Sequence, residues 1–241
     1  MALVAIVLYY VANWPYAIPL YSLAAAGFVL KKSQALLHWF YWLLVSAILL
    51  SYLVNSWPQE GNNYYLYLYL SLTVLVGCLT NSADTIERNC QGLIGFIFAY
   101  ASFWKLVSGT YLNGAFFREN MLFDPRLSQI ARTLFSENNL QAIPTTHPQM
   151  FEILVNALTW SGVVIEVAIA ICFLIPIKHL KHFRDPLLVC FCMVGYALIP
   201  VPAFGMTVTC LGYGQSRPRY RRIYLALFIV MPLSTFRIFL G

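Results

Sequence analysis

The sequence predicts an all-α, polytopic membrane helix bundle of about seven spans with one interfacial amphipathic helix. Three observations carry that reading. Apolar residues make up 60% of the chain. Charged residues make up only 10%, against roughly a quarter in soluble domains. Mean hydropathy is +0.70. About 145 apolar residues in a chain of 241 would be consumed by about seven spans of roughly 20 residues each, leaving little for a water-soluble core. The same composition excludes a disordered chain, a basic nucleic-acid binder and a disulfide scaffold. The net charge of +6 is therefore a matter of membrane topology, and the expected partners are membrane lipids and other membrane protein subunits, with no nucleic acid.

Taken in order, the first apolar run covers 3–30. It starts without a basic leader, is too long for a signal-peptide core and carries Pro15 and Pro19, which predicts a retained, kinked span. Runs at 35–57 and 63–82 follow. The third opens on Tyr64, Tyr65, Tyr67 and Tyr69, an interfacial aromatic belt or rings that flank a flat head group. The fourth run is 92–112, and 113–149 is the long polar connection. Within it Asp124 and Pro125 form an N-cap and first-turn pair. Leu127, Ile130, Ala131, Leu134 and Phe135 then recur at helical spacing until Asn138-Asn139. This is the amphipathic helix, expected on the membrane surface as a belt between spans or a lid on a site. Spans at 150–176, 187–212 and 222–240 complete the chain. No repeat, low-complexity tract or linker interrupts it, so residues 1–241 read as a single transmembrane domain.

Positive residues orient the bundle. Lys31 and Lys32 follow the first run, Lys178, Lys181 and Arg184 follow the fifth, and both loops fall on the cytoplasmic or stromal side. Arg217, Arg219, Arg221 and Arg222 conflict with strict alternation. Either Ile199-Pro200-Val201-Pro202 breaks the sixth run into a re-entrant hairpin, or a basic exterior loop meets a partner. The six cysteines sit mostly inside apolar runs without paired C-x-x-C spacing, the pattern of small buried hydrophobes. His38, His147, His179 and His182 form no ligand set, and no metal is expected.

Two full charges interrupt the apolar runs: Lys105 in Phe103-Trp104-Lys105-Leu106 and Glu166 in Val164-Ile165-Glu166-Val167. A charge at mid-membrane costs roughly 2.5–3.5 kcal/mol on insertion scales and marks a candidate site. The plainer reading pairs the two, although run midpoints would offset them by about 9 Å at 1.5 Å per residue. Burial in a low-dielectric pocket disfavours a charged amine and makes a neutral one available as a base, while a nearby carboxylate opposes that change. Either state suits the polar head of an apolar ligand such as a quinone or quinol. The segment Ser108-Gly109-Thr110-Tyr111-Leu112-Asn113-Gly114 after the lysine can end a helix and let backbone approach a ligand.

The stretch Phe98-Ala99-Tyr100-Ala101-Ser102-Phe103-Trp104-Lys105-Leu106, followed by Asn113-Gly114 and Asp124-Pro125-Arg126, resembles the horizontally transferred transmembrane (HTTM) family. That family includes the membrane domain of vitamin K-dependent γ-glutamyl carboxylase. The resemblance covers roughly residues 35–175 and extends to Asn62-Asn63-Tyr64-Tyr65-Leu66-Tyr67. It implies an HTTM-like bundle with Lys105 as base toward a quinone-like lipid, Glu166 as its modulator, and Tyr64, Trp104, Asn113 and Gly114 around the head group. Tyr64 stands where the carboxylase carries a histidine, and a phenol holds its proton far above the pH at which an imidazole exchanges it. The sequence also shows no large lumenal domain after the membrane region. Protein γ-carboxylation is therefore not expected. Two readings follow: an accessory or assembly subunit of a photosynthetic or respiratory membrane complex, with Lys105 and Glu166 as a structural pair, or a membrane-embedded oxidoreductase-like enzyme that binds a quinone or another isoprenoid or aromatic lipid.

Overall fold

The computed structural model describes residues 35–56, 62–137, 139–198 and 202–240. Among these residues it holds ten α-helices, two single turns of 3-10 helix and no strand, so the all-α expectation stands. The predicted first span at 3–30, with Lys31 and Lys32, lies outside the described residues. Helices α1 (Ala35–Ser56) and α2 (Asn62–Thr80) coincide with the second and third apolar runs. Helix α3 (Ala83–Val107) begins well before the predicted 92. Ser82 Oγ accepts from the Thr85 N–H at 3.2 Å, and Asp84 lies in the first turn. A hydroxyl cap and an acid at the positive end of the helix extend it into a stretch too polar to register as a span.

The polar connection folds into α4 (Ala115–Phe123), α5 (Pro125–Phe135) and the single turn α6 (Ile143–Thr146). Next come α7 (Pro148–Leu174), α8 (Arg184–Leu198), α9 (Pro202–Gln215) and α10 (Pro218–Leu240). Helix α8 ends at Leu198 and α9 begins at Pro202, and residues 199–201, on which the predicted break falls, lie outside the described residues. Among the described residues two helices, α3 and α7, are long and apolar enough to cross a membrane, and shorter apolar stretches lie in α1 (Trp39–Asn55) and α2 (Tyr65–Thr80). With 27 residues, α7 reaches about 40 Å, beyond the ~30 Å hydrocarbon thickness. Both long helices carry apolar side chains outward: Phe96, Tyr100, Phe103, Trp104 and Val107 on α3, and Ile153, Trp160 and Val164 on α7.

The chain divides into two units, residues 1–93 with 201–241 and residues 94–200. In the first, α1 packs on α2, α9 on α10, and α9 on α2. Ser46 Oγ donates to the Trp42 carbonyl at 2.8 Å and to Ser71 Oγ at 3.0 Å, a buried hydroxyl contact between α1 and α2. Small residues allow the close approaches: a Cβ on Gly212 would lie 2.5 Å from the Tyr224 ring, and one on Gly214 would lie 2.7 Å from Cys90 Sγ. Glycine at such contacts is how apolar helices gain packing where water supplies no driving force.

In the second unit, α4 and α6 pack on α7, α4 on α5, and α8 on both α7 and α5. The amphipathic helix appears at its predicted place, and its apolar face packs in part against the neighbouring helices. Leu127, Ala131 and Phe135 are buried in a core shared with Phe117, Met121, Phe151 and Val155. Phe135 lies 6.2 Å from the Phe151 ring and 5.7 Å from His147. Three residues of the stripe thus pack on protein while Leu134 stays exposed, because a 3.6-residue period reports an apolar neighbour without saying which one.

Candidate functional site

The buried face of α3 descends through Phe98 and Ser102 to Lys105, two residues before the helix ends. On α7 the buried face carries Val155, Thr159, Val163 and Glu166. The two helices run antiparallel across the site. A Cβ on Gly95 would lie 2.6 Å from Leu174 Cδ2, so these positions stand opposite each other. From there Lys105 is about 15 Å along α3 and Glu166 about 12 Å back along α7, at 1.5 Å per residue. The near-equality brings the charges together, and the offset expected from the run midpoints is corrected. It came from aligning the two runs at their midpoints, whereas Gly95, at the middle of α3, stands opposite Leu174, the last residue of α7.

Lys105 Nζ donates to Glu166 Oε1 at 2.5 Å, with side-chain exposures of 24% and 9%. The ammonium also lies 4.7 Å from the centroid of the Tyr111 ring, a cation–π contact of the kind worth about 2 kcal/mol or more when desolvated. Glu166 Oε2 is buried without a hydrogen-bond partner among the described residues. One carboxylate oxygen is thus engaged and the other remains an open acceptor.

Tyr111 reaches this position because two left-handed glycines reverse the chain after α3: Gly109 at φ +66° and Gly114 at φ +77°. The Ser108 N–H still closes the last turn onto the Trp104 carbonyl at 2.9 Å, and the Gly114 N–H returns to the Tyr111 carbonyl at 3.0 Å. Such geometry is nearly free for glycine and costly for other residues. The Tyr111 ring packs against Phe116 and Phe117 at 5.4 and 5.6 Å. Its hydroxyl lies 2.8 Å from where a Cβ on Gly162 would stand, one turn before Glu166. Gly162 therefore leaves the space that the phenol uses.

Trp104, Asn113 and Gly114, predicted to surround the head group, each make other contacts. Trp104 is 60% exposed and stacks on Tyr100, with ring centroids 6.5 Å apart. Asn113 is exposed, and its Oδ1 accepts from the Ala115 N–H at 2.9 Å in the turn that leads into α4. Gly114 brings backbone close to α7 rather than to a ligand: a Cβ there would meet Val155 Cγ1 at 2.6 Å. Tyr64 lies in the first turn of α2, in the other unit, and its side chain is outside the described residues. The Asp124 carbonyl accepts from the Leu127 and Ser128 N–H groups at 3.1 and 2.9 Å, starting α5 as predicted. Among the described residues no group of three or more His, Cys, Asp or Glu gathers.

Three further polar contacts organise this unit. Arg118 Nε and Nη2 donate to Glu152 Oε1 and Oε2 at 3.1 and 2.8 Å, a two-pronged link from α4 to α7. Arg184 is buried and donates to the Cys172 and Phe173 carbonyls at 2.6 and 3.4 Å. A cation on these carbonyls satisfies the negative end of α7. Thr159 donates to the Val155 carbonyl at 2.8 Å, which satisfies its hydroxyl within α7. Tyr111 and Gly162 are the site residues that sequence reasoning missed. Their signal was a tyrosine between two glycines after Lys105, with a glycine one turn before Glu166. Compared with protein-family models, curated proteins and solved structures, the chain matches none.

Proposed function

We propose that this chain is a multi-pass integral membrane protein with an HTTM-like bundle of about seven spans, serving as an accessory or assembly subunit of a larger membrane complex, such as a photosynthetic or respiratory one. The observation that carries the reading is the engagement of Lys105 by Glu166 at 2.5 Å and by the Tyr111 ring at 4.7 Å. An amino group that donates to a carboxylate and lies over a ring is committed to contacts within the protein. A buried pair of this kind ties α3 to α7 and leaves their outward faces for partners. Support for a partner comes from the outward aromatic row on α3, where Phe96, Tyr100, Phe103 and Trp104 are all well exposed. Large rings on a helix face pack against neighbouring helices as well as against lipid.

A second reading keeps the Lys105 centre as a head-group site for a quinone or another isoprenoid or aromatic lipid. Glu166 Oε2 favours it, since a buried, unpartnered carboxylate oxygen is an acceptor for a ligand hydroxyl. The test is native-gel separation of gently solubilised membranes, with mass spectrometry of the proteins and extracted lipophilic molecules in the band that holds this chain. A large band with defined partner proteins is the expected result. Migration as a free monomer carrying a stoichiometric quinone would overturn the subunit reading in favour of the second.

A further inference from the structure

We propose that the connection between α7 and α8 is a binding site for one anionic phospholipid, an inference that rests on the membrane reading above. A groove of about 360 Å³ opens here, lined by Cys172, Phe183, Pro186, Leu187 and Cys190. Its volume falls in the range of small-molecule sites, and every lining side chain is apolar or a thiol. A groove of this character holds an acyl chain and offers nothing to a polar solute.

Charge at the rim selects the lipid. Lys178, His179, Lys181 and His182 are all exposed on the connection leading into Phe183. Arg184 and Asp185, the next two charged residues, are buried instead. Arg184 is committed to the α7 carbonyls, which holds the connection against the helix end and fixes the groove beside it. The exposed charge that remains on the connection is therefore cationic, and the connection runs directly into Phe183, which lines the apolar slot. A phosphate-bearing head group above an acyl chain complements both parts.

Depth agrees with this occupant. Cys172 lies two residues before the end of α7, a helix long enough to carry its terminus to the head-group level. The groove thus starts where acyl chains begin and ends where phosphates lie. Basic pockets between helices at this level are a recurrent physical solution for anionic head groups.

The test uses the full chain in nanodiscs of phosphatidylcholine alone or with phosphatidylglycerol, and native mass spectrometry of the protein released from them. The expected result is one retained phosphatidylglycerol and preference for it over phosphatidylcholine. K178Q/K181Q should lower that retention roughly 30-fold, corresponding to about 1 kcal/mol per lysine at a membrane surface. Leu187→Trp, which fills the groove, should abolish retention without altering the charge. In parallel, maleimide modification of the exposed Cys190, read by peptide mass spectrometry, should slow when phosphatidylglycerol is present, and in Leu187→Trp its rate should no longer depend on phosphatidylglycerol. Equal retention of the two lipids, or a Cys190 rate indifferent to phosphatidylglycerol, would overturn the proposal. So would a second copy or another protein segment protecting Cys190 in place of lipid. Release of the protein from membranes by alkaline carbonate would instead overturn the membrane reading on which the site rests.

Discussion

Replacing Gly114 by alanine puts a single methyl group into the best-defined close approach of the second unit. At φ +77° an alanine pays roughly 1–2 kcal/mol for the left-handed backbone. The new Cβ would lie 2.6 Å from Val155 Cγ1. Val155 is fully buried, and its branched side chain has little freedom to turn away on a helix, so the overlap adds about 1–3 kcal/mol. Reduced freedom of the unfolded chain returns roughly 0.4–1 kcal/mol, for a net loss of about 2–4 kcal/mol. Gly109→Ala is the matched control. Its φ is +66°, yet nothing lies within 4 Å of its added Cβ, so it should cost about 1 kcal/mol or less. Equilibrium unfolding of the purified protein in mild mixed micelles, with denaturing detergent as the variable, gives both values. Equal losses in the two variants would refute the claimed contact between the turn and α7.

Other substitutions test the remaining contacts in the same assay. Arg184→Gln should cost about 1.5–3 kcal/mol, the range for a hydrogen bond made by a charged group, with the loss confined to the end of α7 in hydrogen exchange. Glu152→Gln should cost only about 0.2–1 kcal/mol, because Arg118 and Glu152 are exposed to solvent, and the loss should vanish at high salt. Ser82→Ala should cost about 1 kcal/mol and speed hydrogen exchange in the first turns of α3. Gly95→Leu should lose about 1–3 kcal/mol through overpacking against Leu174 and Phe173.

Hydropathy made most helices legible. The runs at 35–57, 63–82 and 150–176 reappear as α1, α2 and α7 within a few residues, because each is uniformly apolar and bounded by polar residues. The start of α3 was not legible in hydropathy, since Ser82 and Asp84 act by capping. The destination of α5 was not legible either: Leu127, Ala131 and Phe135 specify an apolar neighbour, and only the fold supplies Phe151 as that neighbour. Lys105 and Glu166 stood out as charges in apolar runs, but their meeting depends on helix register, which the Gly95–Leu174 contact sets. Tyr111 was hidden because its position depends on the positive φ angles at Gly109 and Gly114. The basic clusters read as topology or as a loop that meets a partner, yet Arg184 also satisfies the end of α7. Arg221 makes a contact of a similar kind in the turn between α9 and α10, donating to the Ser216 carbonyl at 3.0 Å.

The central claim is that Lys105 and Glu166 pin α3 to α7. A double-mutant cycle with Lys105→Met and Glu166→Leu, read by unfolding in lipid bicelles, addresses it directly. Removing one partner leaves a buried charge uncompensated, so each single change should cost about 3–5 kcal/mol, while the apolar double variant should return to within about 1 kcal/mol of the parent. Singles that leave stability unchanged while Lys105→Met abolishes retention of a bound quinone would contradict the claim and make the pair a ligand site.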